Sequence, residues 1–120
     1  MIKALVVEDT PLNMELIIEI LKSQDMDVDT AEDGEEAVRK TEKNSYDLIF
    51  MDIALPGMDG SETTRIIKAK PGYKDVPVIA LTAFAMKGDK EKLMAGGFDD
   101  YVAKPIDVSD FIKKIEKYRG

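Results

Sequence analysis

In YDLIFMDIALPGMDG, residues 46–60, four apolar residues from Leu48 to Met51 run straight into Asp52 and then into a loop restrained by Pro56 and Gly57. A short run that is apolar at every position suits a strand covered on both faces, as in a parallel sheet flanked by helices. Similar runs recur at Ile2 to Val7, Val76 to Leu81 and Phe98 to Ala103, with a weaker one at Met26 to Ala31. The weaker run alternates with Asp27 and Asp29, which marks it as an edge strand.

Segments of helical period fill the gaps. Leu12, Leu16, Ile17, Ile20 and Leu21 form one apolar face. Asp33 with Glu36, and Asp59 with Glu62, resemble capping boxes with Asp as the cap. Gly96-Gly97 reads as a helix C-cap, Lys70-Pro71-Gly72 as a loop, and Asp107 as the cap of a last helix carrying Phe111, Ile112, Ile115 and Tyr118. Strand and helix alternate through five βα units, an α/β pattern with a doubly wound parallel sheet.

With 120 residues and 44% hydrophobic content, the chain holds one domain and one core, spanning 1–120. A net charge of -7 opposes direct binding to nucleic acid or to an anionic membrane surface. No apolar run approaches the ~18 residues of a membrane span, and the expected location is cytoplasmic. The chain has no cysteine, hence no disulfide framework, and no histidine, so any histidine in its chemistry belongs to a partner.

Five polar residues stand where the apolar runs end: the pair Glu8-Asp9, Asp52, Thr82 and Lys104. Open parallel sheets bind ligands at the carboxyl ends of their strands, so these groups are expected to converge. Three carboxylates at close quarters repel unless a cation joins them. Oxygen ligands without His or Cys favour Mg²⁺ or Mn²⁺, and the small number of protein ligands suits Mg²⁺. Asp52 is the candidate nucleophile, since a carboxylate can attack a phosphoryl group to form an acyl phosphate. Lys104 offers a point charge and Thr82 a hydroxyl donor to phosphoryl oxygens.

Taken in order, VVED, MDIALPGMDG, ALTA and YVAKP resemble the receiver domain of two-component response regulators, over essentially the whole chain. The resemblance implies a flavodoxin-like five-stranded sheet of order 2-1-3-4-5. It implies Asp52 as phosphoacceptor, with Asp9, Asp52 and the Ala54 carbonyl binding Mg²⁺ and Glu8 acting through a water on the metal. Thr82 and Lys104 would contact the phosphoryl group, and Lys104-Pro105 would be a cis peptide. A switch is also implied, in which Thr82 moves toward the phosphoryl group and Tyr101 turns inward. Such domains accept phosphate from a histidine kinase or a histidine phosphotransfer protein. They promote their own aspartyl phosphorylation and dephosphorylation without being enzymes in the ordinary sense.

With no output segment expected after the last helix, signalling would pass through a surface whose affinity changes on phosphorylation, or through onward phosphorelay. Phe84, Met86, Lys87, Lys90 and Tyr101 are candidates for that surface, which a downstream protein target would meet. The pattern looks like stand-alone receivers of the DivK type; a receiver cut from a hybrid histidine kinase would read similarly. On the first helix, Met14 and Ile18 flank the main apolar face and could dock the histidine-bearing helices of the phosphodonor. Neither Ala54 nor Phe84 can orient a water, so slow self-dephosphorylation is expected.

Rival chemistries fit less well. A haloacid-dehalogenase type hydrolase needs a second Asp two residues after the nucleophile, where this chain has Ala54. A pseudo-receiver tends to lose one of the five site residues, and all five are present. A dinucleotide site needs glycines that VVEDTPLN lacks.

Overall fold

The computed structural model describes residues 2–83 and 87–119. Five parallel strands, β1 (Lys3–Val7), β2 (Asp27–Ala31), β3 (Leu48–Asp52), β4 (Val78–Thr82) and β5 (Asp100–Ala103), form one sheet of order β2-β1-β3-β4-β5. The helices α1 (Pro11–Ser23), α2 (Gly34–Lys43), α3 (Gly60–Lys68), α4 (Lys87–Ala95) and α5 (Val108–Arg119) alternate with them. β2 stands at one edge, as its alternating acids required, and every residue of β3 and β4 is buried.

Successive residues of a strand point to opposite faces, and two cores follow from that period. Leu5, Val7, Ile49, Met51, Val78 and Ala80 face Ala37, Ile67 and Leu93 of α2, α3 and α4. Ala4, Val6, Phe50, Ile79 and Leu81 face Ile17, Ile20 and Leu21 of α1 and Phe111 and Ile115 of α5. The Phe50 and Phe111 rings stack with centroids 4.9 Å apart, joining β3 to α5.

The caps work as their chemistry dictates. Asp33 and Asp59 accept hydrogen bonds from the backbone N–H of Glu36 and Glu62, each at 2.8 Å. The reciprocal bond of the first box goes to Glu32, whose N–H donates to Glu36 Oε1 at 2.7 Å. Asp107 caps α5 by accepting from Asp110 N–H at 3.0 Å. At the end of α4, Gly97 (φ +99°) allows Phe98 N–H to reach Leu93 O and Gly97 N–H to reach Met94 O, a Schellman motif.

One local expectation needs correction. Leu12 is 76% exposed, not part of the α1 core face, because it sits in the first turn, beyond the edge of the sheet's apolar cover. The carboxyl end of α1 closes with Asp25 in the left-handed region (φ +58°), and Met26 N–H bonds Leu21 O at 3.2 Å. No glycine signalled that stop; the paired burial of Leu21 and Met26 holds it.

Candidate functional site

Parallel register brings the polar strand ends together. Ala4 to Val7 pair with Leu48 to Met51, so the next residues, Glu8 and Asp52, sit side by side. Asp52 pairs with Leu81, and Thr82 with Ala103, so Thr82 and Lys104 follow on the same edge of the sheet. Lys104 N–H donates to Thr82 O at 2.7 Å, and the Lys104-Pro105 peptide is cis.

Glu8, Asp52 and Thr82 are almost wholly buried, at 1%, 3% and 1% exposure, whereas Asp9 is exposed. Lys104 Nζ lies 3.0 Å from Asp52 Oδ2 and 2.8 Å from Glu8 Oε1. Asp52 Oδ1 accepts from Ala54 N–H at 3.0 Å, and Glu8 Oε2 from Thr10 N–H at 3.2 Å.

The two buried acids differ in proton affinity. Burial, and then the neighbouring Asp52, push the Glu8 carboxyl above the ordinary range. Burial also acts to raise Asp52, but hydrogen bonds from Glu8, the Ala54 amide and Lys104 outweigh it and hold that carboxyl below the ordinary range. Burial works against the charged Lys104, yet hydrogen bonds to Glu8 and Asp52 raise its affinity for the proton. Asp52 is therefore the persistent anion, and Lys104 the cation laid on it.

Glu8, Asp9 and Asp52 each present a carboxylate oxygen within 4.8 Å of the others. Three hard oxygen donors, two of them withdrawn from bulk water, fit a Mg²⁺ site. Ala54 places its amide on Asp52 and is itself exposed at the site's edge.

The remaining sequence candidates divide. Met14 and Ile18 are half-buried and line a cleft of about 300 Å³ that begins at Glu8 and Asp9. Tyr101 is half-buried, and its ring lies 5.9 Å from Lys90 Nζ and 5.3 Å from Lys114 Nζ. Phe84 and Met86 lie outside the described residues, as does the side chain of Lys87.

Sequence reading missed Gly60. A Cβ there would lie 2.4 Å from Asp52 O and 2.8 Å from Ile53 Cα, so α3 starts in direct contact with the backbone at the end of β3. Gly60 N–H also donates to Ile53 O at 3.3 Å, closing the 53–59 loop. Its place immediately after the capping Asp59 is the one mark it carries in the sequence, and that mark does not by itself distinguish it from a loop glycine.

Comparison with known proteins agrees with this geometry. The model of the response regulator receiver domain matches residues 4–116. Over 116 residues the chain is 40% identical to the polar-differentiation response regulator DivK of Brucella anthropi, covering 97% of this chain and 94% of that protein. The receiver domain of the sensor histidine kinase PA1611 from Pseudomonas aeruginosa PAO1, solved with a magnesium ion coordinated in its active site cleft, superposes with a TM-score of 0.88 at 40% identity. It covers 97% of this chain and 95% of its own. The receiver domain of Ssk1, solved in complex with the histidine phosphotransfer protein Ypd1 of Saccharomyces cerevisiae, superposes with a TM-score of 0.86 at 31% identity, covering 98% and 88%. By sequence, strand order and site architecture together, the chain belongs to the response regulator receiver domain family of two-component signalling.

Proposed function

We propose that the chain is a single-domain response regulator in which Asp52 accepts a phosphoryl group from a partner's phosphohistidine. The observation that carries this reading is a buried carboxylate held anionic, with an ammonium 3.0 Å away and two more carboxyl groups beside it. An Asp52 oxygen attacks phosphorus, the P–N bond to the imidazole breaks, and its electron pair passes to the ring nitrogen, which takes up a proton. Asp9, Asp52 and the Ala54 carbonyl, with Glu8 acting through water, would hold Mg²⁺ or Mn²⁺, whose charge offsets that of the phosphoryl oxygens. Lys104 exchanges its contact with Asp52 for one with a phosphoryl oxygen, and the Thr82 hydroxyl donates to another. Phosphorylation then draws Thr82 inward, and Tyr101 follows from its half-buried position between Lys90 and Lys114.

Receipt from a kinase or phosphotransfer protein is supported by the Ypd1 complex of the similar Ssk1 domain. Likeness to stand-alone regulators is supported by the 40% identity to DivK over 94% of its length. Met14 and Ile18, which line the cleft beside Glu8 and Asp9, would receive the donor's helix, and output would pass through the face around Tyr101 to a protein target or onward to another histidine. The test is transfer of labelled phosphate from a histidine phosphotransfer domain. Label should move to the wild type as a hydroxylamine-labile acyl phosphate and fail to move to Asp52→Asn. Equal labelling of Asp52→Asn would overturn the assignment.

A further inference from the structure

The cleft beside α1 has an apolar floor of Pro11, Met14 and Ile18, with Glu8 and Thr30 also lining it, and the exposed charged residues of its rim are all acids: Asp9, Glu15, Glu19 and Glu32. All four are exposed, and among the described residues none of the four forms an ion pair. Glu15 and Glu19 stand four residues apart on one helix, where like charges repel, and the only basic residue of α1 is Lys22, in its last turn. This negative field lies at the mouth of a site whose substrate group is itself an anion. Such a rim is unfavourable for the free protein and for an approaching phosphoryl group unless a cationic surface covers it.

We infer that the α1 cleft selects its phosphodonor by charge: the helix that occupies it carries an apolar anchor for Met14 and Ile18 flanked by lysine or arginine facing Glu15, Glu19 and Glu32. This rests on the reading that the cleft receives the histidine-bearing helix, and it adds the chemistry of that helix. Complementary charge steers encounter and rejects acidic competitors, so discrimination among donors falls as salt rises.

The probes are two versions of one histidine phosphotransfer domain, one with lysines and one with glutamates flanking the exposed apolar residue next to its histidine. Binding of each is measured by fluorescence anisotropy, and transfer by quenched flow. At low salt the lysine version should bind at least about tenfold tighter, a ratio that shrinks toward one near 1 M salt, where the Debye length is about 3 Å. Glu15→Gln with Glu19→Gln should cut that ratio at least about threefold, two rim charges of four being removed, while labelling by acetyl phosphate is not slowed. Equal binding of the two versions, no binding of either, or a ratio unchanged in the double variant overturns the inference. Tight binding of the lysine version without any transfer to Asp52 would overturn the phosphoacceptor reading and leave charge selection standing.

Discussion

Lys104 bridges two buried carboxyl groups, and its removal leaves Glu8 and Asp52 facing one another without a counter-charge. Breaking a buried pair costs more than the pair itself contributes. Lys104→Met should therefore lower stability by about 2 kcal/mol without divalent ions, and Mg²⁺ should restore part of the loss, as read by urea unfolding with and without the metal. If Mg²⁺ leaves the variant's midpoint unmoved, the acidic cluster does not bind it. Gly60 gives a second test at this scale. A methyl group at Gly60 meets backbone, which cannot swing aside, whereas one at Gly88 meets nothing within 4 Å. Gly60→Ala should destabilise by about 1–3 kcal/mol and weaken Mg²⁺ binding, while Gly88→Ala should stabilise by up to about 1 kcal/mol through helix propensity. Equal effects of the two would contradict the contact between α3 and the end of β3. The polar residues at the strand ends were legible because each closes an apolar run. Gly60 was not, because a glycine next to a cap looks like any loop residue until the facing backbone is known.

Among the elements, α5 is pinned to β5 by Asp100, a residue only 5% exposed. Its Oδ1 meets Lys114 Nζ at 2.9 Å and accepts from Tyr101 N–H at 2.8 Å, and its Oδ2 accepts from the Tyr118 hydroxyl at 2.9 Å. Burial opposes the charge, but Lys114, the Tyr101 amide and Tyr118 outweigh it and bring Asp100 down to about 2. The Tyr118 hydroxyl is correspondingly pushed up to about 12, by burial and then by Asp100. A depressed folded-state value means that the contribution is complete above the unfolded carboxyl's range near 3.8 and fades as pH falls toward 2. It amounts to about 2 kcal/mol at neutral pH. Asp100→Asn should lose that amount at pH 7, and the gap from wild type should narrow between pH 4 and pH 2 in paired urea unfolding curves; a gap independent of pH would sink the assignment. Helix caps were readable because an Asp side chain satisfies a backbone donor locally. The Asp100 cluster was not, since its partners come from an element up to eighteen residues away. Leu12 was misread for a related reason: period assigns a residue to a stripe, but only the extent of the sheet decides which part of the stripe is covered.

For the molecule as a whole, a parallel sheet with β2 at the edge followed from run length and alternation, whereas the order 2-1-3-4-5 followed from the family resemblance; the structure agrees with both. Convergence of Glu8, Asp9, Asp52 and Lys104 followed from the same topology, because parallel strands in register deliver their last residues to one edge. Charge distribution was less legible. A net charge of -7 says nothing of where the acids lie, and the rim of the α1 cleft emerges only when β2 brings Glu32 opposite Glu15 and Glu19. Among the described residues, no helix is long and apolar enough to cross a membrane.

Asp52 as the phosphoacceptor is the proposal on which the site's chemistry and the switch both depend, and intact mass tests it most directly. After incubation with acetyl phosphate and Mg²⁺, the wild type should gain one phosphoryl group, and the gain should vanish in Asp52→Ala or with a chelator present. An adduct that persists in Asp52→Ala, or a wild type that never gains one from either acetyl phosphate or a phosphohistidine donor, would contradict the account.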